Sequence, residues 1–261
     1  MAGKVTLYMF TGSTPSITAQ LMLEHKQIDY KRVHMLVGPH AFSMLGRGFQ
    51  LMNVPALKID GRCVQGSRQI SRALEELQPQ PPLFGADEHQ RRAVAQAERW
   101  GEEFQDAVRR IFWCAARRNP RAMMTVHPHA NPLMRPAQHV TRRLVTRLAT
   151  AGHQASDFAG EEDLAELPAR LDQIDAWIDE GLLNGRQLNA ADFQIAPNIA
   201  LLLRFEDLAP HIQDRPAAQL ARRLLPEASV RIGAALPAKW LAAVGSSPSH
   251  GPDGTRYGPS P

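Results

Sequence analysis

The first third of the chain alternates short apolar runs with helical spacings. Residues 4–10 (KVTLYMF) are β-branched, apolar and aromatic, of strand length, and bounded by a Gly-Ser turn, so a buried strand is expected there. After Pro15, which suits a first helical turn, Ile17, Leu21 and Leu23 follow a helical pattern. Residues 30–36 read as a second strand, and 39–45 as a short segment of ambiguous type. Residues 54–59 form a strand, Asp60-Gly61 is the strongest short hairpin signal, and 62–65 form the return strand. Ser67 opens a helix through Ile70, Leu74 and Leu77, which Pro79, Pro81 and Pro82 stop. The order is β-α-β-(α)-β-β-α.

The stretch PQPPLFGAD (79–87) reads as a stiff, extended linker. Beyond it the pattern is helical. Val94, Ala97, Gly101, Phe104, Val108, Ile111 and Ala115 step by three and four along one long helix. A second helix is expected over 133–148 and a third over 164–183, with Leu164, Leu167, Leu171, Ile174, Ile178 and Leu182 on one stripe. Residues 193–205 are apolar nearly all round, as in a buried central helix. Further helices are expected over 217–225 and 236–244. From Gly245 the chain is rich in Gly, Ser and Pro without periodicity, and a disordered tail is expected. The domains expected are therefore 1–78 and 87–244, joined by 79–86, with the tail at 245–261.

Composition narrows the function classes. A length of 261 residues and a hydrophobic fraction of 44 % suit a globular protein with a substantial core. No apolar run approaches the roughly 20 residues that span a bilayer, so no membrane association is expected. The start reads as a first strand, not a signal peptide, and a cytoplasmic home is expected. Two cysteines, Cys63 and Cys114, make neither a disulfide scaffold nor a thiolate zinc site. Lys and Arg number 30 against 26 Asp and Glu, and the basic pairs are interspersed with acids, so no nucleic-acid partner is expected. His127 and His129 in HPHANP have no carboxylate or thiolate beside them, and no metal is expected. No Gly-x-Ser-x-Gly is present for serine hydrolysis.

Three features together resemble the cytosolic glutathione transferases. These are the β-α-β-(α)-β-β-α segment followed by helices, NVPAL before the third strand, and LNAADFQIAP in the second half. The last is also a good helix start in its own right. Asn189 is an N-cap, Asp192 can reach back to complete a capping box, and Leu188 and Phe193 can form a hydrophobic staple. The fold class implied is α/β plus all-α: a thioredoxin-like N-terminal domain followed by a glutathione-transferase-type helical bundle domain.

The resemblance also implies a site. Val54-Pro55 would be trans by the usual preference, and cis by resemblance. The backbone of Val54 would then pair with the cysteine part of a bound thiol tripeptide. Ser67, at a helix start, would hold its γ-glutamyl carboxylate, or act as a plain N-cap. Arg68 would add positive charge or point to solvent. The family usually has Glu or Gln directly before this serine, whereas this chain has Gly66, with Gln65 one position earlier. Gln65 is the candidate substitute, because Gly66 permits a displaced backbone.

In GSTPS, Ser13 takes the thiol-activating place by resemblance, with Ser16 as runner-up. The bland alternative is that both only cap the first helix. The co-substrate implied is glutathione or another low-molecular-weight thiol, and the partners are a small hydrophobic electrophile and a second copy of the chain. Trp100, Phe104, Phe112 and Trp113 are candidates to line the electrophile pocket, or to be ordinary interdomain core. The activity implied is conjugation, or a related isomerisation or dehalogenation. The alternative is a non-catalytic protein of the same fold that sequesters ligands or associates with proteins.

Overall fold

The computed structural model describes residues 4–35, 40–119, 146–147, 149–226 and 230–245. Strand β1 (Val5–Met9) leads into helix α1 (Thr14–His25), strand β2 (Tyr30–His34) and a short helix α2 (His40–Leu45). Strands β3 (Ala56–Ile59) and β4 (Arg62–Gln65) follow, then helix α3 (Ser67–Leu77). The four strands lie in the order β2-β1-β3-β4. β1 pairs parallel with β2 and antiparallel with β3, and β3 pairs antiparallel with β4. The hairpin turns at Asp60 (φ 48°) and Gly61 (φ 95°), the two left-handed positions that an Asp-Gly pair accommodates.

The second half is helical: α4 (Glu88–Arg118), α5 (Asp157–Asp179), α6 (Ala190–Leu202), α7 (Ala209–Ile212), α8 (Pro216–Leu224) and α9 (Ala238–Gly245). The central helix is α6, in which all thirteen residues are buried. It packs on α4, α1 and α8, so it joins the two halves. Its start is a complete capping box. The Asn189 side chain accepts from the N–H groups of Ala191 and Asp192, and the Asp192 carboxylate accepts from the N–H of Asn189. Gly101 lets α4 approach closely, since a Cβ there would stand 2.9 Å from Ile195 Cγ1 and 3.0 Å from Gln194 Cγ. On α5, Leu164, Leu167, Leu171 and Ile174 are buried and Ile178 partly buried, while Leu182, expected on the same helix, follows its end at Asp179 and is partly buried there.

The proline-rich stretch, expected as a stiff linker, is anchored to both halves of the chain. Leu83 is fully buried, its N–H donates to Glu75 at 2.9 Å, and its carbonyl accepts from Ala190 at 2.8 Å. Gln80-Pro81 is cis. Beneath it lies Lys26, whose side chain is fully buried, paired with Glu75 and donating to the Gln78 carbonyl at 2.6 Å. A buried ammonium requires such partners. The segment is therefore a docked strap whose polar groups are spent on both halves.

The four-residue α7 has no periodicity to read and was not expected. The expected helix over 133–148, His127, His129 and the tail beyond Gly245 fall largely or wholly outside the described residues. Among the described residues no helix is long and apolar enough to cross a membrane.

Candidate functional site

Strand polarity gathers three turns at one end of the sheet. β1 and β4 run the same way, and both are followed there by helices, α1 and α3. β3 enters from the same end. Tyr8 pairs with Ala56, and Ala56 with Gln65, so the registers carry Phe10 toward Val54 and Pro55 toward Gly66. The Gly66 N–H donates to the Pro55 carbonyl at 3.0 Å. Two helix N-termini thus open on the edge where Val54-Pro55 enters the sheet, and such termini favour an anion.

Val54-Pro55 is cis. Among the described residues, no group of the chain takes the Val54 N–H or carbonyl. Pro55 is buried and Val54 half-buried, so this backbone edge is open while its neighbour is fixed. Ser67 is 3 % exposed, and among the described residues its hydroxyl has no partner. Among the described residues, the Ser67 hydroxyl at the α3 N-terminus is therefore a donor without a partner.

The two serines of GSTPS have separate fates. Ser16 is fully buried, and its Oγ accepts from the N–H of Phe10 at 3.3 Å. It ties the end of β1 to the first turn of α1 and is occupied in doing so. Ser13 stands at the N-cap with extended backbone (φ −74°, ψ 123°), half-buried, and its side chain makes no capping hydrogen bond. The capping alternative therefore fails for the Ser13 hydroxyl.

Gln65 and Arg68 point elsewhere. The Gln65 carboxamide accepts from Leu51 N–H at 2.8 Å and donates to the Leu51 carbonyl at 2.7 Å, with further contacts to Asn53 at 3.2 Å. It holds the loop that presents Val54. Arg68 reaches α4, where it donates to Glu102 at 3.2 Å. Next to it Arg72 pairs with the fully buried Glu98, which also accepts from Ser71 at 2.6 Å, and Arg72 lies 4.4 Å over the Phe84 ring. Burial raises the Glu98 carboxyl above the usual range, while Arg72 acts to lower it. This cluster fixes α3 against α4. Arg68, Gln65, Cys63 and Arg72 line a groove of about 510 Å³ between β4 and α3.

The four aromatic candidates divide in the same way. Trp100 and Phe104 do share a face, with rings stacked at 5.4 Å, but they pack with Trp177 of α5, whose ring meets Trp100 edge-on at 5.0 Å. Phe112 is 6 % exposed and packs on Trp113 and Phe205. Trp113 stacks on His153, which lines a cavity of about 200 Å³ with Asp106, Arg109, Arg110, Gly152 and Gln154. Burial pushes the His153 imidazole down. Phe104 and Phe112 are thus core side chains, and Trp113 reaches this cavity only through His153, on which it stacks.

Sequence reasoning passed over other groups near the β1–α1 turn. Thr11 Oγ1 and His34 Nδ1 share a hydrogen bond at 2.9 Å, and His40 meets the Phe10 ring edge-on at 4.8 Å. The signal for His34 lies in the parallel pairing of β1 and β2, which sets it beside Met9. Nothing in the local sequence shows it.

A four-stranded mixed sheet joined to a helical bundle through a capped central helix is a thioredoxin-like domain followed by an all-helical one. Residues 7–82 match the family model described as glutathione S-transferase, N-terminal domain. Maleylacetoacetate isomerase of Rattus norvegicus is 36 % identical over 97 residues, which are 36 % of this chain and 45 % of that protein. The chain thus spans less than half the length of this curated relative. Among solved structures, a glutathione S-transferase of Ceriporiopsis subvermispora in complex with glutathione superposes with TM-score 0.61 at 14 % identity, covering 88 % of this chain and 99 % of the other. A glutathione S-transferase from Rhodospirillum rubrum F11 gives TM-score 0.53 at 20 % identity, covering 92 % and 99 %. Residues 7–82 are thus similar to glutathione S-transferase N-terminal domains, and the chain as a whole shares the fold of these solved structures.

Proposed function

We propose that the protein is a glutathione-dependent enzyme that activates the bound thiol for attack on a small hydrophobic electrophile. The observation that carries this reading is the division of labour between the two serines. Ser16 is consumed by the Phe10 N–H, whereas Ser13, at the α1 N-terminus, keeps its hydroxyl. In this reading the cysteine of glutathione pairs with the Val54 backbone and its glutamyl carboxylate lies on Ser67. Its sulfur then receives a hydrogen bond from Ser13.

The hydroxyl does not ionise. It donates to the sulfur and favours thiolate over thiol, and the α1 N-terminus favours the same charge. Lowering a thiol pKa from about 8.5 by roughly two units requires about 2.7 kcal/mol. One charge-assisted hydrogen bond and a helix terminus supply that. In conjugation the thiolate forms a C–S bond and the leaving group departs with its electron pair. In isomerisation the thiolate adds to a conjugated double bond, the resulting single bond rotates, and elimination returns the thiolate. The name of the curated relative favours the second outcome for this chain.

The test is calorimetric titration with glutathione at neutral pH, run beside Ser67→Ala, followed by turnover of Ser13→Ala. Binding that Ser67→Ala loses, with turnover that Ser13→Ala loses, supports the reading. Wild-type protein that binds no glutathione refutes it.

A second reading, association with another protein, has its own observation. Phe42 (82 % exposed), Leu45, Leu51 and Met52 form an exposed apolar set on α2 and the loop after it. In the enzyme reading a second copy covers this surface in a homodimer. In the alternative a different protein does so, and the fold works without turnover. Sedimentation of the purified chain separates the two, because a monomer at micromolar concentration removes the homodimer.

A further inference from the structure

The joint between the two halves carries an imidazole that the proposed function does not use. His25, in the last turn of α1, meets the Phe193 ring of α6 at 5.1 Å, and its ring is hydrogen-bonded to the backbone of Pro82. It therefore touches the first half, the second half and the strap between them. Proline has no N–H, so the bond at residue 82 is to the carbonyl and the imidazole donates. Nε2 is buried and, among the described residues, has no partner. The network thus assigns the proton to Nδ1 and leaves Nε2 with the lone pair of a neutral ring.

Among the described residues, the charged groups facing this ring come from α1 and α3. They are the fully buried Lys26 ammonium and the Glu75 carboxylate paired with it. The Glu75 oxygen that takes Lys26 also accepts from the Leu83 N–H at 2.9 Å, so one carboxylate serves both the ammonium and the strap. Strap residues 79–86 carry no charge. On α6, Asp192 precedes Phe193, but its carboxylate is turned to the N–H groups of Asn184 and Asn189. A proton on Nε2 would set a second cation beside Lys26 with no second carboxylate. It would also leave a buried N–H without an acceptor. Burial and Lys26 accordingly hold the imidazole below its ordinary range, against Glu75 and the Pro82 carbonyl. We infer that the strap is a pH-sensitive latch. Neutral His25 holds it docked, and uptake of a proton from solvent at Nε2 releases Pro82 and Leu83 and loosens the joint between the halves. The undocked ring takes the proton more readily than the docked one. Docking is therefore complete above the ordinary imidazole value of 6.5 and weakens as pH falls below it.

The test is amide hydrogen exchange of the full chain, read by mass spectrometry on peptides covering the strap and corrected for the intrinsic rate at each pH. In wild type, opening at the Leu83 amide should increase severalfold between about pH 7.5 and about pH 5, and by at most about 30-fold if the undocked imidazole titrates near 6.5. His25→Gln keeps a donor for the Pro82 carbonyl and does not titrate, so its strap should show no such increase. His25→Asn gives the same comparison with a shorter side chain. Wild-type protein whose strap is equally protected at the two pH values overturns the inference. A glutamine or asparagine variant that keeps the wild-type pH dependence overturns it too, because another group would then be the sensor.

Discussion

Asp192 gives the sharpest test of how the helical half is held, because two effects on it oppose each other. Its carboxylate is fully buried and accepts from Asn184 N–H at 2.6 Å and Asn189 N–H at 2.9 Å. Burial raises the carboxyl to about 6, against the lowering effect of those two donors. A carboxyl whose folded value is raised binds more protons folded than unfolded, so its contribution to stability falls as pH rises from about 4 to about 6. With an unfolded value of 3.8 and a folded value of about 6, wild type loses about 1.4 kcal/mol through this residue between about pH 5 and about pH 7.5. Asp192→Ala removes the titration and orphans two partly buried donors. Its cost should be about 2–4 kcal/mol near pH 5, and about 1.4 kcal/mol smaller near pH 7.5. Urea unfolding of both proteins at the two pH values, followed by far-UV circular dichroism, measures the difference. A cost that grows with pH would mean that the two N–H donors outweigh burial and hold the carboxyl low, and the argument would fail.

Gly101→Ala places a methyl against Ile195 and Gln194 and should cost about 1–3 kcal/mol in denaturant midpoint analysis, although alanine favours the helix. Ser13→Ala should lower kcat by about tenfold or more, with a Tm unchanged within error, since its hydroxyl caps nothing. Ser16→Ala should instead lower stability by about 1–3 kcal/mol, because it leaves the Phe10 N–H without its acceptor. Glu75→Gln leaves the buried Lys26 ammonium without a counter-charge and should cost about 3–5 kcal/mol in chemical unfolding. Were Ser13→Ala fully active, the assignment of the thiol-activating hydroxyl would be wrong.

The elements were largely legible because their signals are local. Asp60-Gly61 fixes the hairpin, the prolines after Leu77 end α3, and Asn189 with Asp192 announces α6; the N-cap of α3 is Gly66, so Ser67 is its first residue and not its cap. The strap at 79–87 was legible in composition and not in placement. Its docking depends on Lys26, Glu75 and Ala190, which lie far apart in the sequence and carry no mutual pattern. The aromatic face of α4 shows the same limit. Spacing puts Trp100 and Phe104 on one side, but only the position of Trp177 on α5 decides that this side is core.

The candidate site is harder to read because its parts are mostly backbone and absences. Val54 offers an N–H and a carbonyl that any residue could carry, and among the described residues they are left unpaired. Ser13 and Ser16 are the same residue type three positions apart. They part company because Ser16 points back to the Phe10 N–H at the end of β1, whereas Ser13 has no such donor in front of it. Gln65 and Gln69 form a similar pair. Gln65 was the candidate the sequence offered, but β4 aims its carboxamide at the Leu51 loop, while the exposed Gln69 lies back over Gly66. The local alphabet names the candidates. The strand's alternation and the helix's period decide which of them the fold already occupies, as it does Ser16 and Gln65.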